Sequence, residues 1–102
     1  MKYNKLIRDK IPDIIKSKGD DCKVHVAREE EYWNKLRLKL DEEVEEFLEN
    51  PCSEELGDIL EVINAIADFK FEGKDNLEKI REMKSLEKGG FEKRFILDEV
   101  ED

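Results

Sequence analysis

Apolar residues recur at helical spacing along most of this chain. From about Arg28 to Glu49, Trp33, Leu36, Leu40, Val44 and Phe47 fall on one face of a long helix. Asn50-Pro51 ends it, because a proline disfavours helical backbone at the residue before it. Ser53 is a good N-cap for the next helix, which runs to about Phe71. That helix carries Leu56, Ile59, Leu60, Val62, Ile63, Ile66 and Ala67 around much of its circumference, so it is expected to be covered on several sides. Gly73 closes it. A further helix from about Asn76 to Lys88 carries Leu77, Ile80, Met83 and Leu86 and stops at Gly89-Gly90. Near the start, between Lys5 and Lys18, a short helix is expected, with Pro12 suited to its first position and Gly19 to its stop. Cys22–Ala27 alternates polar and apolar residues, which predicts a short extended segment. Phe91–Leu97 is apolar enough to dock as a second one, paired with Val24–Val26. The acidic end, Asp98–Asp102, reads as frayed.

These elements predict an all-α fold: a helical bundle of about four helices with short extended segments, in one domain spanning residues 1–102. Only 38% of the residues are hydrophobic and 46% are charged, so one copy buries a thin core. A homodimer or higher homo-oligomer is therefore expected to complete the bundle. No run of eighteen apolar residues occurs, which argues against a membrane partner. The N-terminus lacks the apolar core of a signal peptide, and a cytoplasmic location is expected. Cys22 and Cys52 have no metal-ligand spacing and read as free thiols. A net charge of −9 argues against nucleic acid, yet it is compatible with a phosphorylated small molecule where a bound cation reverses the local sign.

Four carboxylates occupy positions that a soluble helix normally fills with apolar residues. At about 100° per residue, Glu43 falls between Tyr32 and Leu36, within the arc that holds Leu40 and Phe47. Glu55 falls between Val62 and Ile66, and Asp58 lies about 60° away, beside Ala65 and Phe69. Glu43/Glu46 and Glu55/Asp58 are each spaced i, i+3, so each pair points to one side of its helix. Burying such groups is costly unless a cation neutralises them. Two facing pairs make an oxygen-lined site for a hard divalent ion, and the absence of histidine favours Mg²⁺, or Mn²⁺, over Zn²⁺. The opposing reading is a solvated acidic face, common in Glu-rich helices. It fits Glu45, Glu49 and Glu54 better, while Glu42 and Glu61 are placed to border a groove.

The runs Lys39-Leu40-Asp41-Glu42-Glu43-Val44-Glu45-Glu46 and Glu54-Glu55-Leu56-Gly57-Asp58 resemble the EExxE and ExxD motifs of the all-α nucleoside triphosphate pyrophosphohydrolases. These are the MazG-like proteins, with phosphoribosyl-ATP pyrophosphohydrolase and the dimeric dUTPases as relatives. The opening Tyr3-Asn4-Lys5-Leu6-Ile7-Arg8-Asp9-Lys10-Ile11-Pro12 and the closing Gly89-Gly90-Phe91 are similar to a small-protein branch described as phosphoribosyl-ATP pyrophosphohydrolase-like. The resemblance covers Tyr3 to about Leu97. It implies that Glu43, Glu46, Glu55 and Asp58 bind Mg²⁺ and that Glu42 orients or activates water. It also implies cleavage between the α- and β-phosphates of a nucleotide, giving a monophosphate and pyrophosphate. One departure is the eight residues between Glu46 and Glu55, fewer than the family's usual loop, which leaves less protein to shape a base-specific pocket. Two alternatives stay open: phosphoribosyl-ATP hydrolysis in histidine synthesis, and a non-enzymatic acidic helical interaction module.

Lys5, Arg8 and Lys10 are the densest basic group in an acidic chain. They are candidates to hold substrate phosphates, with Arg8 giving bidentate contacts. The alternative is a solvated segment paired with surface acids, Asp9 included. Lys88, Lys93 and Arg94 flank Gly89-Gly90, which reads first as a helix stop. Tyr32 and Trp33 read as core, His25 as a surface histidine, and Asn64 as solvent-exposed.

Overall fold

The computed structural model describes residues 2–101, so Asp102 of the acidic end lies outside it. Four helices follow one another: α1 (Ile11–Ser17), α2 (Glu29–Glu49), α3 (Ser53–Lys70) and α4 (Lys74–Lys88). The all-α class is met, with no strand among the described residues. The chain divides into two compact units, the first ending at Ile66 and the second beginning at Ala67, within α3.

In the first unit, Pro12 occupies the first turn of α1, where its missing N–H is not needed. Gly19, with φ +85°, closes that helix, and its N–H donates to the Lys16 carbonyl at 3.0 Å. Helix α2 opens on Glu29, Glu30 and Glu31, which suit the positive end of the helix dipole. It ends at Asn50, held extended at φ −138°, ψ 76° by the following Pro51. Ser53 is the first helical residue of α3 rather than its cap, since the Cys52 carbonyl accepts the first bond, from Leu56 N–H at 3.2 Å. The link Asn50–Cys52 is short enough that the end of α2 and the start of α3 lie side by side. Among the described residues of this unit, Leu36 is the fully buried apolar side chain and Val62 is buried at 8% exposure, so the core is thin.

Two expectations need correction. Cys22–Ala27 forms no strand, and Val24 and Val26 are 60% and 96% exposed. The tail forms none either: Phe91, Phe95, Ile96 and Leu97 are exposed. Alternation or apolar content marks a strand only where a partner edge exists, and neither segment has one.

In the second unit, α3 gives way to α4 through a three-residue turn. The N–H of Gly73 donates back to the Ala67 carbonyl at 2.9 Å, which requires the φ of +95° that Gly73 adopts. Asp68 Oδ1 accepts from the N–H of Lys74 at 3.0 Å and so satisfies a free donor at the start of α4. Gly89, at φ +84°, stops α4.

Candidate metal centre

The turn at Pro51 decides the site. Glu43 lies about two turns before the end of α2, and Glu55 and Asp58 lie in the first two turns of α3. Folding the helices back brings one carboxylate oxygen from each of the three within 4.8 Å of the others. In an octahedral Mg²⁺ site, opposite oxygens are roughly 4.2 Å apart, so small side-chain movements close this triad on one ion. Glu46 stands outside the triad, exposed, with its carboxylate against that of Glu43.

Burial separates these groups from ordinary surface acids. Glu43 is 7% exposed, the only buried charged residue among those described. Its Oε1 accepts from Lys39 Nζ at 3.2 Å, but its Oε2 is buried without any hydrogen-bond partner. Glu55 Oε2 is buried and unpartnered in the same way. Such oxygens are rare in folded chains because each forfeits its hydration. Two of them, from neighbouring helices and within one cluster, fit a ligand that supplies positive charge. An all-oxygen donor set suits Mg²⁺ or Mn²⁺.

The electrostatics agree. Burial pushes the Glu43 carboxyl above its ordinary range, the Lys39 ion pair only partly offsets this, and the charge of Glu46 adds to the rise. Glu42 behaves oppositely. It is held below the ordinary range mainly by Lys5, whose Nζ donates to Oε1 at 3.0 Å, and next by Lys39, which donates to Oε2 at 3.2 Å. Lys39 itself is desolvated, which lowers its pKa, but the hydrogen bonds and charges of Glu42 and Glu43 together hold it above its usual range.

The basic opening lies directly on this acidic surface. Lys35 Nζ holds the Asn4 carbonyl at 2.6 Å, and Lys5 reaches Glu42. Arg8 Nη2 donates to Asp58 Oδ1 at 2.7 Å, and Arg8 Nη1 lies 3.7 Å from Glu61. Lys5 and Arg8 are thus paired with the cluster's own acids, whereas Lys10 makes no ion pair among the described residues. Beyond Arg8, an open groove of about 520 Å³ runs along α3, lined by Gly57, Asp58, Leu60, Glu61 and Asn64. Asn64 therefore lines the groove and is half-buried, where solvent exposure was expected.

Comparison with known proteins finds little. No family model matches the chain, and no solved structure matches it. An uncharacterized protein of Mycolicibacterium smegmatis (strain ATCC 700084 / mc(2)155) is 44% identical over 41 residues. The match covers 40% of this chain and spans 42% of that protein's length.

Other residues fall as follows. Lys39 did not stand out in the sequence, yet it joins Glu42 to Glu43; its i, i+3 and i, i+4 spacing to them was the available signal. His25 pairs with Glu31 at 2.9 Å on the surface, away from the triad's residues in sequence. Trp33 is half-buried with the Arg37 guanidinium 5.0 Å from its ring centroid. Cys22 and Cys52 are free thiols. No helix among the described residues is long and apolar enough to cross a membrane.

Proposed function

We propose that this chain is a divalent-metal-dependent nucleotide pyrophosphohydrolase of the MazG-like type, acting as a homodimer or larger assembly. The observation that carries the reading is the triad of Glu43, Glu55 and Asp58, two of whose buried oxygens have no partner. These three residues would hold Mg²⁺, with Glu46 completing the set by a side-chain rotation. The bound ion supplies charge stabilisation of the phosphate oxygens and acidifies a coordinated water. The chain's own residues do the rest. Glu42, pinned by Lys5 and Lys39, is better placed to orient a water as a fixed acceptor than to take its proton, because its basicity is reduced. Lys5, Arg8 and Lys10 would receive the phosphates, and the groove along Gly57, Leu60 and Asn64 would take the nucleoside. The products would be a nucleoside monophosphate and pyrophosphate.

The test is a panel of nucleoside triphosphates, with phosphoribosyl-ATP included, incubated with Mg²⁺ and resolved by product mass. Glu55→Gln is the control. Monophosphate and pyrophosphate from wild type, and none from the variant, are expected. No turnover of any compound, with no Mg²⁺ binding at millimolar concentration, removes the proposal.

One observation favours a second reading. Lys5, Arg8 and Lys39 already neutralise part of the cluster, as in a structural ion-pair network. On that reading the chain is an acidic helical interaction module, and metal would leave its melting temperature unchanged.

A further inference from the structure

Arg8 is in an unusual place for a residue meant to bind phosphate. Its guanidinium is spent on Asp58 Oδ1, at 2.7 Å, and on Glu61, at 3.7 Å. Asp58 is one of the three residues whose oxygens converge. A divalent ion drawing on that carboxylate and the Arg8 guanidinium are two cations competing for one anion, and side by side they repel. Arg8 is also the more easily removed partner. Its side chain is 54% exposed, whereas Lys39, which serves the buried Glu43, is 17% exposed. Arg8 lines the open groove together with Asp58, Gly57 and Asn64, so a released guanidinium remains at the groove's wall.

We propose, building on the metal-dependent reading above, that Arg8 is a substrate-phosphate ligand stored on Asp58 and released by the incoming divalent ion. The ion and Arg8 exchange places on one carboxylate. Metal loading thereby converts a partly neutralised acidic surface into one that presents a free guanidinium beside a bound cation. Phosphate binding then follows metal binding in order, because before exchange the guanidinium is committed and the acids repel an anion. The Lys35 hold on the Asn4 carbonyl anchors the opening segment, so that Arg8 swings without the segment leaving α2.

The exchange has signs that a static ion pair does not produce. Mn²⁺ binding is measured by calorimetry on the full chain without nucleotide. Removing the competitor in Arg8→Ala should tighten Mn²⁺ about two- to fivefold, the range set by an exposed ion pair. At fixed free Mg²⁺, inorganic tripolyphosphate should bind the same variant at least about tenfold more weakly, the loss of a bidentate charged contact. Arg8→Lys should recover most of the competition for Asp58 and less of the tripolyphosphate binding. A second pair of variants works in EDTA. Asp58→Asn frees Arg8 and should improve tripolyphosphate binding, and Arg8→Ala/Asp58→Asn should lose most of that gain.

If wild type binds Mn²⁺ but Arg8→Ala binds it no more tightly, the exchange is wrong and the metal site stands. A gain in Asp58→Asn that survives in the double variant is simple charge removal, and also overturns the exchange. If wild type binds no Mn²⁺ at millimolar concentration, the metal-dependent reading fails first and the exchange fails with it.

Discussion

Glu43→Gln is the substitution on which the reading of the acidic cluster turns. The change keeps the shape of the side chain and removes one charge. In the metal-free protein Glu43 is 7% exposed, its Oε2 has no partner, and Glu46 adds a like charge beside it. An unsatisfied buried acceptor costs about 1–3 kcal/mol. Against this, the substitution weakens one hydrogen bond from Lys39, which keeps its 3.2 Å contact with Glu42. Because burial outweighs the Lys39 attraction in setting the carboxyl's pKa, the balance favours the neutral side chain. Glu43→Gln in EDTA should melt at the wild-type temperature or higher, by up to about 1 kcal/mol of stability.

Metal reverses the order. For an ion that binds with a dissociation constant of about 1 mM, 10 mM Mg²⁺ contributes RT ln 11, about 1.4 kcal/mol. In a chain of this size that is a rise of roughly 6–11 °C. The wild type should show it and Glu43→Gln should not, since the ion loses a charged ligand. The assay is thermal unfolding of both proteins in EDTA and in 10 mM Mg²⁺, four curves in all. A mutant clearly destabilised in EDTA that still gains the wild-type increment with Mg²⁺ would falsify the assignment and leave Glu43 as an ion-pair partner of Lys39.

Further outcomes follow from the same structure. In EDTA, wild-type stability should fall as pH rises from the ordinary glutamate value of 4.5 through the raised value of Glu43, because the folded chain holds that proton more tightly than the unfolded one. It should also fall as pH drops from 4.5 through the lowered value of Glu42, so denaturant titrations should show a maximum near the ordinary value, and Glu43→Gln should lack the upper limb. Gly57 lies in the second turn of α3, where a Cβ would meet no atom within 4 Å beyond its chain neighbours and its own helix backbone, so Gly57→Ala should stabilise the chain by about 0.5–1 kcal/mol; unchanged tripolyphosphate or nucleotide binding would take the groove out of the site. Light scattering should report a dimer or larger at micromolar concentration, since Leu36, Val62 and Ala67 are the buried apolar residues among those described while Leu56 and Leu60 are more than half exposed; a monomer counts against the assembly.

Much of this was legible in the sequence because helical patterning is a local signal. The end of α2 was readable from Asn50-Pro51 and the end of α4 from Gly89, since each rests on a backbone preference of one or two residues. Glu43 was readable as buried because it interrupts an apolar arc, a one-helix property. Glu46 shows the limit of that rule. Its i, i+3 spacing places it on the same side as Glu43, but which of the two reaches α3 depends on how the helices pack. The extended segments misled because alternation in Cys22–Ala27 and apolar content in the tail predict a strand only if another edge is available. Arg8 was legible as a cation of interest and not as the partner of Asp58, a contact across fifty residues that no local pattern encodes.

The placement of the cations explains why the cluster is tolerable without metal. Six carboxylates meet here, from Glu42, Glu43, Glu46, Glu55, Asp58 and Glu61, against Lys5, Arg8 and Lys39. Each of these cations sits on an oxygen at the rim or on Glu43 Oε1. The two unpartnered oxygens, Glu43 Oε2 and Glu55 Oε2, are the ones a long side chain does not reach. A basic side chain carries its charge on a stem that must stay packed along its path. A small divalent ion has no stem and enters where no lysine fits. The cluster is therefore partly neutralised from outside and left short of positive charge inside, an arrangement consistent with a metal-binding site. Filling that position from within tests the point: Glu55→Lys, which must bring a longer stem and its ammonium into the space around the buried Glu55 Oε2, should destabilise the chain, whereas Mg²⁺ should stabilise the wild type.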